Sequence, residues 1–116
     1  MRFVVRVLGT MVVALGLHLT LGWAWTFGAG VVGGVAAPHR GWLIGLLGVA
    51  LDWAVLVGYN SMVAGAATEV MIGTMGGIFG NTAGTAVVAA TVFIGALLGG
   101  LGGLVGMFAR RTVQAP

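Results

Sequence analysis

Only a few residues of this 116-residue chain are equipped for chemistry: the acids Asp52 and Glu69, the histidines His18 and His39, Tyr59 and Ser61, with no cysteine at all. Asp52 is the most demanding of them. It lies near the middle of Gly41 to Asn60, GWLIGLLGVALDWAVLVGYN, an otherwise apolar run of twenty residues. As a helix that run would be roughly 30 Å long, the thickness of a bilayer's hydrocarbon core. A carboxylate at that depth costs about 2.5 to 3.5 kcal/mol on insertion scales, so it must be neutral, hydrogen-bonded, paired or wet. Gly41, Gly45, Gly48, Asp52 and Tyr59 fall on one helical stripe, so the acid is expected on a small-residue face turned toward a neighbouring helix. Two roles follow for it: structural glue, or a carrier of protons or cations.

His18 is the best local candidate for its partner, the other reading being a structural histidine that caps a helix or faces headgroups. Counted from the arginine-bearing starts of their segments, His18 lies roughly 22 Å deep and Asp52 roughly 17 Å, a difference of about one helical turn. Against the pairing, His18 sits opposite Gly9 and Gly16 on its own helix, and a glycine face is the usual packing face. Asp52, His18 and Tyr59 are therefore the candidate intramembrane group. His39 reads as a solvated loop residue. Glu69, Asn81 and Thr82 read as polar connector residues, or together as the lining of an outer vestibule.

Other chemistries are disfavoured. The two histidines lie at different depths, which argues against a shared haem, and acids a membrane leaflet apart cannot act as a general acid/base pair. GGIFGNTAG is glycine-rich, but it lacks the lysine and preceding strand of a phosphate-binding loop. With no cysteine there is no thiolate nucleophile and no iron–sulfur cluster. No enzyme activity, cofactor or metal is expected.

Composition says where these residues live. The chain is 59% hydrophobic and 6% charged, with a mean hydropathy of +1.14. Soluble domains carry about 25% charged residues. A transmembrane barrel would alternate apolar and polar residues, whereas these runs are continuously apolar. The fold class is an all-α integral membrane protein. The pI near 11.4 rests on five arginines scattered along the chain, so no nucleic-acid partner is expected. Exclusive use of arginine, with abundant glycine, alanine and valine, suggests a GC-rich prokaryotic genome and hence a cytoplasmic membrane.

Four transmembrane helices are expected, at about 3–21, 23–37, 41–60 and 84–108, forming a single domain over 1–116. The first has the basic start of a signal peptide, but no convincing small-x-small site follows, so it is expected to stay uncleaved. Trp23 and Trp25 suit an interfacial belt. The second helix is short and should stop at Pro38. Residues 61–83 form an extramembrane or interfacial connector, with a short or re-entrant helix from Val70 to Phe79. The tail TVQAP is expected to fray. Four crossings place Arg2, Arg6, Arg40, Arg110 and Arg111 on one side, cytoplasmic by the positive-inside rule, and Glu69 on the other. Those arginines would also hold anionic lipid headgroups.

Twenty-three glycines supply the means of packing. Burial of apolar surface does little to join helices already in lipid, so association depends on close backbone contact. Gly95, Gly99 and Gly103 form one ladder with four-residue spacing, and Gly41, Gly45 and Gly48 form another stripe. Two functional readings result. The first is a small structural or accessory protein, packing glycine-rich faces against itself or a larger membrane complex. The second is an oligomeric channel or transporter for protons, cations or a small solute, using Asp52. The topology is testable: a reporter fused after residue 116 should read cytoplasmic, and an external reading would overturn the four-crossing arrangement.

Overall fold

A computed structural model describes residues 1–37, 39–81 and 83–114. Among them the chain is all-helical: α1 (Arg2–Leu21), a 3₁₀ turn (Trp23–Trp25), α2 (Thr26–Ala36), α3 (Gly41–Val63), α4 (Gly65–Ile78) and α5 (Gly84–Gln114). Three of these, α1, α3 and α5, are long and apolar enough to cross a membrane, which marks the chain as a membrane protein. The molecule is elongated, 55 × 27 × 26 Å.

The helices α1, α2, α3 and α5 form a bundle. Thr10 of α1 packs against Gly33 of α2 and Gly48 of α3, while Leu17 packs against Gly28. Farther along, His18 meets Asp52. Thus α1 and α3 run the same way, and α2 returns the chain between them. α5 runs beside α2 in the same direction, Gly30 against Gly99 and Gly34 against Gly103, and opposite to α3.

The inward faces are made largely of backbone. On α5, Gly95, Gly99, Gly100, Gly102, Gly103 and Gly106 are buried, while Phe93, Ile94, Leu97, Leu101, Val105 and Phe108 point outward and are exposed. This is the reverse of a soluble helix, and it follows from the solvent. In lipid, large apolar side chains need no burial, and small residues let the backbones approach. A Cβ on Gly34 would meet the Gly103 carbonyl, and one on Gly99 would meet that of Gly45. Side-chain cores are correspondingly small: Val7, Ala37 and Ile44 form one cluster, and Ala14, Ala29 and Val49 another.

Several boundaries differ from the sequence expectation. Trp23 to Trp25 form a tight 3₁₀ turn after Gly22, whose φ of 107° suits only glycine, so α2 proper has 11 residues. At about 1.5 Å per residue that is some 16 Å, half a hydrocarbon core. It is walled by α1, α3 and α5, and Thr26, Ala29, Gly30, Gly33 and Gly34 are all buried. The expected stop at Pro38 lies outside the described residues. α3 continues three residues past Asn60. The connector is mostly helix, since α4 begins at Gly65, five residues before the expected Val70, and ends at Ile78. The last helix reaches Gln114, so Thr112, Val113 and Gln114, expected to fray, are helical; residues 115 and 116 are outside the described residues.

The five arginines gather toward one end. Arg110 donates to the carbonyl of Val35 at 2.8 Å, satisfying one of the carbonyls left open at the end of α2. Arg40 immediately precedes α3, and Arg2 and Arg6 occupy the first turns of α1.

A pair of glycine substitutions separates packing from propensity. Gly99→Ala drives a methyl into the α3 backbone and should destabilise the bundle by about 2 kcal/mol or more. Gly16→Ala, where a Cβ would meet nothing within 4 Å, should be neutral or stabilising by up to about 1 kcal/mol. Equilibrium unfolding in mixed micelles measures both. Equal effects would contradict the glycine seam.

Candidate functional site: a half-buried histidine on a buried aspartate beneath an apolar cleft

The glycine stripe of α3 determines where Asp52 points. Gly41, Gly45, Gly48 and Asp52 are buried together on that helix, and Asp52 is 0% exposed. The first three touch Gly34, Gly103, Gly99 and Thr10, so the carboxyl group is carried into the bundle where α1 crosses α3. Tyr59 departs from the expected grouping. It lies two turns farther along, where α3 has outrun the ends of α1 and α2, and it is 59% exposed.

His18 meets Asp52 from α1, with Nδ1 3.1 Å from Oδ2. The objection from the Gly9/Gly16 face resolves in favour of contact. Those two glycines face open space, and α1 packs through Val7, Thr10 and Ala14 instead, which brings His18 round to α3. Among the described residues, Asp52 Oδ1 is buried with no hydrogen-bond partner.

An aromatic cluster holds the histidine in place. The Trp53 ring lies 5.5 Å from that of His18 and 6.4 Å, edge to face, from that of Trp23. Trp53 Nε1 donates to Thr26 Oγ1 at 3.4 Å, and Thr26 Oγ1 in turn donates to the Trp23 carbonyl at 2.6 Å. The ring fits because residue 95 is glycine: a Cβ there would come within 2.5 Å of Trp53 Cγ. Sequence reading assigned Gly95 to helix packing and gave Trp53 and Thr26 no role. A tryptophan beside an intramembrane acid, with a glycine on a later helix, was the available signal, but nothing in the chain's order shows that they touch.

Proton bookkeeping restricts the pair. A net charge at this depth is costly, so the favoured states are neutral overall: carboxylate with imidazolium, or carboxylic acid with imidazole. In the second state the acid proton is best placed on Oδ2, donating to Nδ1, because on Oδ1 it would be a buried donor without an acceptor. In both states the other ring nitrogen, Nε2, carries hydrogen.

Above the pair lies a cleft of about 610 Å³ between the end of α1, the second half of α3, α4 and the start of α5. His18 and Trp53 line it, together with Met71, Ile72 and Met75 of α4 and Val87 and Thr91 of α5. Tyr59 also borders it. Glu69 and Asn81 do not line this cleft. Glu69 is exposed on α4, Asn81 is exposed in a left-handed turn (φ 59°) after Gly80, and Thr82 lies outside the described residues. His39 is an exposed loop residue. No group of three or more potential metal ligands occurs among the described residues.

Comparison of the chain with known protein families, curated proteins and solved structures finds no match. The site must be interpreted from its own geometry.

The coupling of the pair is measurable. His18→Leu leaves a buried carboxyl group without its partner and should cost about 3 kcal/mol, whereas the double variant His18→Leu/Asp52→Leu should recover much of that loss. Unfolding of the two single variants and the double variant in mixed micelles gives the coupling, and additive losses would mean that the contact has no energetic weight.

Proposed function

We propose that this chain is a small polytopic membrane protein of structural or accessory type, whose glycine-seamed bundle presents an apolar exterior to lipid and to a second copy or a larger membrane complex. The observation that carries this reading is the state of Asp52: fully enclosed, bonded to His18, and set where α1 crosses α3. An acid used in this way links two helices. The broad exposed faces of α1 and α5, rich in valine, leucine and phenylalanine, are suited to lipid or to another apolar helix.

In this proposal α1, α2, α3 and α5 are the four crossings, with both termini cytoplasmic in a prokaryotic inner membrane. Support comes from the arginines, which collect toward one end of the bundle, and from the reversal of chain direction at α2. A helix of 11 residues can serve as a crossing only because its neighbours shield it and the bilayer thins locally. α4, with Glu69, then lies at the opposite face. Anionic headgroups gather at the arginine end.

A second reading, an oligomeric carrier of protons, cations or a small solute, is favoured by one observation: the cleft of about 610 Å³ reaches His18, the partner of the intramembrane acid. Flux through proteoliposomes discriminates the two. In the accessory reading, wild-type and Asp52→Asn proteins give the same proton and cation flux as empty vesicles. A flux present in wild type and abolished in Asp52→Asn would replace it with transport.

A further inference from the structure

We propose that the cleft over the His18–Asp52 pair binds a neutral, lipid-soluble carbonyl compound of the quinone class, whose carbonyl oxygen accepts a hydrogen bond from His18 Nε2. The inference goes beyond the accessory role and does not depend on it.

Asp52 occupies one edge of the His18 ring through Nδ1 and is itself sealed from the exterior, while 22% of the His18 side chain remains accessible. With Nδ1 turned to Asp52, the accessible surface of His18 lies elsewhere on the side chain, and His18 borders the cleft. Nε2 has no hydrogen bond among the described residues. Because the neutral pair keeps a hydrogen on Nε2 in both of its forms, the histidine offers the cleft a donor. Asp52 acts behind it as a positioning residue, holding the ring through Nδ1.

The rest of the lining selects the ligand's charge and shape. Among the described residues no arginine, lysine, aspartate or glutamate lines the cleft, so a carboxylate or phosphate headgroup would enter without a full counter-charge, at a cost that membrane depth makes large. A neutral carbonyl meets no such penalty. Trp53 and Tyr59 provide aromatic surface for a flat ring. Met71 and Met75 provide an adaptable wall for an alkyl tail. The volume of about 610 Å³ lies within the usual range for small-molecule sites, roughly 300 to 1,000 Å³.

The test is calorimetric titration of a benzoquinone bearing a ten-carbon tail into the purified full chain in micelles, against protein-free micelles. Two variants attack the site independently. His18→Phe/Asp52→Leu removes the donor without stranding a buried acid, and Val88→Trp fills the cleft while leaving the pair intact; circular dichroism checks that each remains helical. The expected result is saturable one-to-one binding by wild type, weakened about fivefold or more in the double variant, the equivalent of one hydrogen bond, and at least as much in Val88→Trp. Lack of saturable binding by folded wild type, or undiminished binding by either folded variant, overturns the proposal. Tighter binding of a ten-carbon fatty acid, ionised at the working pH, overturns the choice of a neutral headgroup.

Discussion

Where Gly34 meets Gly103 and Gly45 meets Gly99, helices touch backbone to backbone, with no room for a single methyl group. The rest of the molecule depends on this approach. It draws α2, α3 and α5 into one unit, and it allows an 11-residue helix to be held among longer ones. Lipid explains why the seam is built from glycine. Helices already surrounded by hydrocarbon gain little from hiding leucine, so they gain by bringing peptide groups close and by matching shape. The loss of helix propensity at each glycine, about 1 kcal/mol in water, is offset by those contacts.

The seam also creates the site. A carboxyl group can be enclosed at mid-helix only if the surrounding helices leave a small, fixed space and supply a partner. Gly48, against Thr10 and Val7, brings α1 onto α3; one turn later Asp52 reaches His18. Gly95 makes the niche that seats Trp53 beside that histidine. Packing and chemistry thus share residues. A change at Gly95 would be felt at the imidazole, although the two are 77 positions apart in the chain.

Beyond the pair the bundle loosens. α1 and α2 end, α3 and α5 continue, and α4 lies across their extensions with only Gly76 buried among its residues. A Cβ added to Gly65, Gly73 or Gly77 of α4 would meet nothing within 4 Å. The same glycine-rich composition that locks one end therefore leaves the other open, because these three glycines have no facing backbone. The cleft is the consequence, and it reaches His18 of the His18–Asp52 pair.

Much of this could be read from the chain alone. Long apolar runs gave helices in a membrane, since hydropathy and length are local properties of a segment. The stripe of Gly41, Gly45, Gly48 and Asp52 fixed the direction of the acid, because helical periodicity needs no neighbour to define it. Helix ends were less legible: the 3₁₀ turn at Trp23, the early start of α4 and the extension of α5 to Gln114 depend on local hydrogen bonds that composition does not encode. The tertiary structure alone decided which face of α1 packs, and so whether His18 and Asp52 meet. Gly9 and Gly16 look like a packing face in sequence, but a glycine stripe packs only if another helix presents a matching surface. In this fold α3 offers that surface to Thr10 and Ala14 instead. Tyr59 shows the same limit from the other side: it shares the stripe of Asp52, yet it stands beyond the ends of α1 and α2, where periodicity still holds but the open cleft leaves it exposed.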